Sequence, residues 1–343
     1  MIPIVTPEEM AAVDAAAAEP VDVLVARAGA AVAREAVRLL GGTYGRRVVV
    51  VAGKGNNGAD GRQAAQRLRR LGVRVTVLDA ATVAARVPPC DLVVDAAYGT
   101  GFRGTWPAPG PGGAPVLAVD IPSGIDGVTG EAAGSVLAAS ATVTFAALKP
   151  GLVLGRGREL AGRVTVADIG LDVGAARAHL ATDADVALWL PVRPPESHKW
   201  HSAVWVVAGS PGMTGAATLA ARAAQRAGAG YVRLSTPGGR PGALTPVEAV
   251  GVPLPAGGWA EEVLAGLDRF SAVAVGPGLG RDEATAAEVR ALVERCPLPV
   301  VVDGDGLAAL GERPAGLAAT TVLTPHDGEY ARLAGHPPGP DRL

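Results

Sequence analysis

Polar side chains able to do chemistry follow directly on runs of valine in this chain. Asn56, Asn57 and Asp60 come after RVVVVAG in GKGNNGADG, Asp95 closes DLVVDA, and Asp120 and Ser123 lie in LAVDIPSGIDG. Two amides and a carboxylate so close together are costly to leave unpaired and suit a polar ligand or a cation. The surrounding glycines permit close backbone approach, and free amides where the next helix opens can hold a phosphate. Oxygen donors such as Asn57, Asp95, Asp120 and Ser123 suit a hard cation if the fold brings them together. Taken singly, each strand-end aspartate reads equally well as a cap of the turn or helix that follows it. Polar groups at three successive strand ends weigh against that second reading.

Such convergence requires strands that end along one edge. RVVVVAG, RVTVL, DLVVDAAYG, PVLAVDIPSG, ATVTFAA and RVTVADIG alternate with Ala/Arg-rich stretches, and each run closes on Gly, Asp or Pro. Continuous apolar runs of this kind predict buried parallel strands in a doubly wound α/β domain, whose carboxyl strand ends form the ligand edge. The composition is 49% hydrophobic but only 3% aromatic, so small aliphatic side chains must build the cores. A length of 343 residues predicts two domains. In LPVRPPESHKW three prolines break both periodicities, which places a first domain over 1–187, a linker over 188–200 and a second domain over 201–343. The second repeats the pattern in AVWVVAG, YVRLSTP, AVAVGPGLG, PVVVDGDGL and TVLTPHDGE.

A formal charge of −2 provides no basic field for nucleic acid. Cys90 and Cys296 lie far apart without metal-ligand spacing and read as thiols in a reducing compartment. The N-terminal segment has no basic region ahead of an apolar stretch, and no run approaches the length of a membrane span. The expectation is a cytoplasmic protein with neither nucleic acid nor membrane as partner.

GNNGADG, GTGFRG and IPSGIDG together resemble the NAD(P)HX epimerase family, known through the N-terminal half of the YjeF protein, over roughly residues 1–180. The resemblance implies a Rossmann-like three-layer domain that interconverts the R and S forms of hydrated NADH and NADPH with a potassium ion in the site. Carried over by motif, Asn56, Asn57, Gly58, Ala59 and Asp60 would line the substrate pocket. So would Gly99, Thr100, Gly101, Phe102, Arg103, Gly104 and Thr105, while Asp120 would contact the hydrated nicotinamide. Asn57, Asp95 and Ser123 would hold potassium. Asp120 is the expected acid/base group, with Lys149 in FAALKPGL as an assisting charge or, equally, a solvated surface lysine. Ala59 stands where the family has Gly in NNGGDG, which is tolerable unless that position needs a positive φ.

HKWHSAVWVVAGSPGMTGAA, AVGPGLGR, VVVDGDGL and TPHDGEYARL resemble the ADP- or ATP-dependent NAD(P)HX dehydratase family, which has a ribokinase-like fold and is often fused to the epimerase. The resemblance implies that Ala216, within the segment from Met213 to Ala217, together with Gly278 and His326, contacts the hydrated nucleotide, and that ADP or ATP with Mg²⁺ serves the complete family. Asp303 and Asp305 mark another strand end. Structural readings compete here: MTGAA as a helix start against the sheet, His326 as a turn residue. The family's Lys-containing nucleotide loop and GTGD-type turn are not found in this sequence, so the expectation is an incomplete ribokinase-like domain without dehydratase activity of its own, and a homo-oligomer. Three rival readings are an ordinary dinucleotide dehydrogenase, a non-catalytic nucleotide sensor or scaffold, and a small-molecule kinase. The first is weakened because GKGNNGADG is not GxGxxG and Asp79 only loosely matches the expected ribose acid. The missing GTGD-type turn weakens the kinase.

Overall fold

The computed structural model describes residues 1–239, 245–340 and 342, and divides into two compact units, Met1–Pro191 and Val192–Gly339. The first unit starts with β1 (Ile2–Ile4) and α1 (Pro7–Ala15), the latter opened by a capping box between Thr6 and Glu9. In α2 (Val21–Leu40), Leu24, Ala28, Val32, Ala36 and Leu40 recur every fourth residue and form a buried stripe. The helix stops at Gly41, whose left-handed φ of 64° suits only glycine readily.

The chain then alternates through β2 (Arg47–Ala52), α3 (Asn56–Arg70), β3 (Arg74–Asp79), β4 (Leu92–Ala96), β5 (Trp106–Pro107), β6 (Val116–Val119), β7 (Gly134–Ser135) and β8 (Ala141–Phe145). The short helices α4 (Pro150–Val153) and α5 (Gly155–Leu160) precede β9 (Arg163–Ala167), β10 (Ala178–Leu180) and α6 (Asp183–Trp189). Six of these strands form one parallel sheet in the order β3-β2-β4-β6-β8-β9. All six expected valine runs are in it. Every residue of β4, β6 and β8 is buried, as strands covered on both faces require. The order reverses between β2 and β4, so the loops after these two strands diverge and leave a crevice.

Helix α3 lies unusually close to that sheet. A Cβ added at Gly61 would stand 2.4 Å from Ala96 Cβ, and one at Gly29 of α2 would stand 2.6 Å from Gln63 Cβ. Glycine at both positions lets α3 close up on the sheet and on α2, which packs on the same sheet face. The helix α6, opened by a capping box of Thr182 and Asp185, extends to Trp189, so regular structure reaches into the segment read as linker.

The second unit follows a 3₁₀ turn at Lys199–Ser202 with β11 (Ala203–Val207), α7 (Thr214–Arg226), β12 (Tyr231–Ser235), β13 (Val250–Gly251), α8 (Trp259–Ala265) and β14 (Ala272–Val275). It continues with α9 (Glu283–Arg295), β15 (Val300–Val302), α10 (Asp305–Leu310), β16 (Thr321–Leu323) and α11 (Asp327–Ala334). Its sheet is also parallel, in the order β13-β12-β11-β14-β15-β16. Trp205, Trp259, Leu292 and Leu307 anchor its core, while Val301 and Val322 on the last two strands are exposed. Among the described residues no helix is long and apolar enough to cross a membrane.

Candidate active site

Asp120 is the first residue after β6 and has a φ of 66°, an uncommon conformation for a side chain with a Cβ. Its amide donates to Val143 O at 2.7 Å, which pins the left-handed turn to the neighbouring β8. The carboxylate is thereby aimed at the other strand ends. Its Oδ1 pairs with Lys149 Nζ at 2.7 Å and accepts from Thr144 Oγ1 at 3.1 Å. Lys149 is 1% exposed, which removes the solvated-lysine reading. Its ammonium also donates to Thr144 Oγ1 at 2.8 Å and Phe145 O at 2.9 Å, so it is spent on holding Asp120 and the end of β8.

Asp95, the penultimate residue of β4, is wholly buried. Ser123 N donates to its Oδ2 at 2.9 Å, and Ser123 Oγ and Ala97 N donate to its Oδ1 at 2.6 and 3.3 Å. Ser123 Oγ in turn accepts from Tyr98 N at 2.9 Å. Burial pushes the Asp95 carboxyl upward against the lowering effect of these donors, and among the described residues no cationic side chain pairs with it. Asn57 is in the first turn of α3, where a Cβ added at Gly99 would stand 3.6 Å from Asn57 Cβ and 3.5 Å from Asp120 Oδ2, and among the described residues its buried Oδ1 and Nδ2 have no partner. An orphaned amide oxygen, a buried carboxylate and a hydroxyl are donors whose chemistry fits a hard monovalent cation.

Asn56, Asn57 and Asp60 occupy the opening turn of α3 itself, since the helix begins at Asn56 directly after the Gly55 N-cap. Gly55 supplies no side-chain cap, which leaves the first amides of the helix for a ligand. Gly58 is obligatory here because a Cβ would fall 1.9 Å from Gly53 O. Ala59 is inside the helix, donates its amide to Gly55 O at 3.1 Å and is not among the positive-φ residues, so alanine is accommodated. Asp60 is buried, and desolvation, aided by the charges of Asp120 and Asp14, pushes its carboxyl up to about 8. Asp14 also rises, through burial and Asp120, against the opposing charge of Lys149.

Asp14, Asn56, Asn57, Asp60, Asp120 and Lys149 line one cavity of about 820 Å³ along the strand ends. Gly53, Lys54, Gly55, Asn56, Asn57 and Asp60 form its floor, Gly99, Thr100, Gly101 and Phe102 one lip, and Asp120 and Lys149 its polar end. Phe102 stacks on Tyr98 with ring centroids 4.1 Å apart, which stiffens that lip. Gly58, Ala59, Arg103, Gly104 and Thr105 are not part of the lining; the Arg103 guanidinium folds back onto Thr100 O and Phe102 O. Asp95 and Ser123 lie beneath the surface. The opposite wall comes from Met10, Asp14, Leu24, Val25 and Ala28, with Ile169 and Leu171, none of which carried a sequence signal, because an Ala-rich amphipathic helix does not reveal what its apolar face meets.

In the second unit the crevice residues behave differently. A Cβ on Gly278, whose φ is 68°, would lie 3.1 Å from Ala216 Cβ, so these two positions are brought together. His326 instead caps α11, accepting from Gly328 N at 3.1 Å while its own amide donates to Glu329 Oε2 at 3.0 Å. Asp305 is engaged by Arg281 Nε at 2.7 Å, and Asp303 accepts from Thr324 Oγ1 at 2.8 Å.

A parallel sheet with an acid-rich cavity at its switch point and a free helix N-terminus beside it defines the class, a doubly wound α/β protein with a ligand-sized crevice at its strand ends. Residues 204–343 match the family model described as NAD(P)H-hydrate dehydratase, and residues 21–85 and 78–151 match that described as the YjeF-related protein N-terminus. The bifunctional NAD(P)H-hydrate repair enzyme Nnr of Moorella thermoacetica is 37% identical over 400 residues, covering 97% of this chain and 75% of that protein. Its counterpart in Mycobacterium tuberculosis is 38% identical over 342 residues, covering 91% of this chain and 69% of that protein. A solved ADP/ATP-dependent NAD(P)H-hydrate dehydratase from Bacillus subtilis, co-crystallised with ATP/Mg²⁺, is 31% identical over 46% of this chain and 56% of its own, with a TM-score of 0.37. The chain belongs to the bifunctional NAD(P)H-hydrate repair enzyme family.

Proposed function

We propose that the first unit epimerises hydrated NADH and NADPH, and that Asp120, Asp60 and Lys149 carry the chemistry. The observation behind this is the placement of an ion-paired carboxylate and a buried, proton-holding carboxyl on one cavity. In the hydrated ring a hydroxyl sits on C6 beside the ring nitrogen. Its departure as water needs a proton on the hydroxyl oxygen, and the nitrogen lone pair then leaves C6 planar and cationic. Water returning to the opposite face loses a proton to a base and gives the other epimer. Asp60, which holds its proton at neutral pH, supplies the first proton. Asp120 accepts the second, and exchange with solvent resets the pair. Lys149 is a positioning residue that fixes the Asp120 carboxylate.

The free amides at the start of α3 suit the pyrophosphate. Asn57, Asp95 and Ser123 would hold potassium, which supplies a positive charge that keeps Asp95 ionised and ties the ends of β4 and β6 to α3. In the second unit, Ala216 and Gly278 support a contact with the same hydrate, since their close approach leaves backbone at the crevice. A homo-oligomer in the cytoplasm completes this reading.

The test is conversion of R-NADPHX to the S form by the purified chain, with and without potassium, beside Asp120→Ala. Potassium-sensitive conversion that the variant loses supports the proposal. Binding of the hydrate with an unchanged R to S ratio would sink it and favour a sensor or scaffold.

A further inference from the structure

Asp79 lines the cavity but has no part in the chemistry above. It is the last residue of β3 and pairs in register with Ala52 at the end of β2, so it stands one strand out from the glycine-rich turn. It is exposed, and its Oδ1 accepts from Ala81 N at 2.8 Å, while the other carboxylate oxygen has no protein partner among the described residues. Asp79 closes β3 and Asp120 follows β6, with β2 and β4 between those strands. At the usual strand spacing the two lie about 14 Å apart along the cavity. The free N-terminus of α3 falls between them.

This order gives a bound dinucleotide its direction. With the reacting ring at Asp120 and the pyrophosphate at the start of α3, the adenosine half extends over the end of β3. A carboxylate there can accept both hydroxyls of a ribose 2′,3′-diol. A 2′-phosphate in the same place sets a dianion against it. Among the described residues the only cations lining the cavity are Lys54 and Lys149; Lys149 is committed to Asp120, and Lys54 sits in the turn that meets the pyrophosphate. We propose that Asp79 is the specificity-determining residue of this site, accepting the unphosphorylated ribose and making the chain prefer hydrated NADH to hydrated NADPH. The proposal rests on the epimerase reading for its substrate.

The full chain, saturated with potassium, is assayed on R-NADHX and R-NADPHX beside Asp79→Asn and Asp79→Ala. The Asp79→Asn side chain keeps an oxygen for the Ala81 amide and removes only the charge, so a purely structural role would leave selectivity unmoved. Wild type is expected to favour NADHX by about ten-fold, mostly in KM, and both variants to bring the ratio below about three-fold with kcat preserved. In parallel, calorimetric titration with NAD⁺ and NADP⁺ as unreactive probes should show the same split and the same collapse. Equal handling of the two substrates by wild type, or a preference that both variants retain, overturns the role of Asp79. If no epimerisation occurs, the functional reading fails, and the NAD⁺/NADP⁺ comparison still decides whether Asp79 reads the ribose.

Discussion

Asparagine in place of Asp60 removes a proton that matters in two ways. An aspartate titrates near 3.8 when unfolded and at about 8 here, so between those values the folded protein holds a proton that the unfolded chain has lost. Stability linked to this group is present below about pH 4 and is lost as the pH rises to about 8. Asp60→Asn should therefore gain Tm over wild type, by more at pH 8.5 than at pH 5; a pH-independent difference would contradict the buried, protonated carboxyl. As the acid, Asp60 should also make kcat/KM fall above pH 8, a limb the variant lacks. Asp120→Asn should lower kcat by about 10²- to 10⁴-fold, the usual contribution of a positioned acid or base. It also leaves Lys149 buried and unpaired, at about 3 kcal/mol. Adding Lys149→Met should restore the denaturation midpoint without restoring turnover, which separates stability from chemistry. Asn57→Ala should abolish the potassium response while leaving far-ultraviolet circular dichroism unchanged.

At the scale of elements, the closeness of α3 to the sheet is the feature most exposed to substitution. Gly61→Ala forces a methyl against Ala96 and Val50 and should cost about 1–3 kcal/mol in urea denaturation. Ala59→Gly, which restores the family pattern, should instead cost about 0.5 kcal/mol through helix propensity alone, because residue 59 is already helical. The valine runs were legible as strands because a parallel sheet covered on both faces needs unbroken apolar sequence. The helix α3 was legible too, but its start at Asn56 was not: glycine and asparagine favour turns, and packing against β2 and β4 overrides that preference.

Over the whole molecule, the buried clusters of the first unit and those of the second share no residue. A fragment ending at Pro191 should consequently fold and keep potassium-dependent epimerisation; failure to fold would show that the first core is insufficient by itself. That Asn57, Asp95, Asp120 and Ser123 lie along one edge followed from sequence alone, since strand-end polar residues in an open parallel sheet must gather there whatever the details of packing. Their environments were decided by tertiary structure. Lys149 reads from sequence equally as an assisting charge or a solvated lysine until the β8 turn buries it against Asp120, and Asp60 reads as a pocket-lining acid whose protonation is set only by desolvation and two neighbouring carboxylates. The α2 wall and Asp14 carried no signal at all. Pattern determines which way a residue points from its own element, whereas burial, charge pairing and protonation depend on residues distant in sequence that only the folded chain brings near.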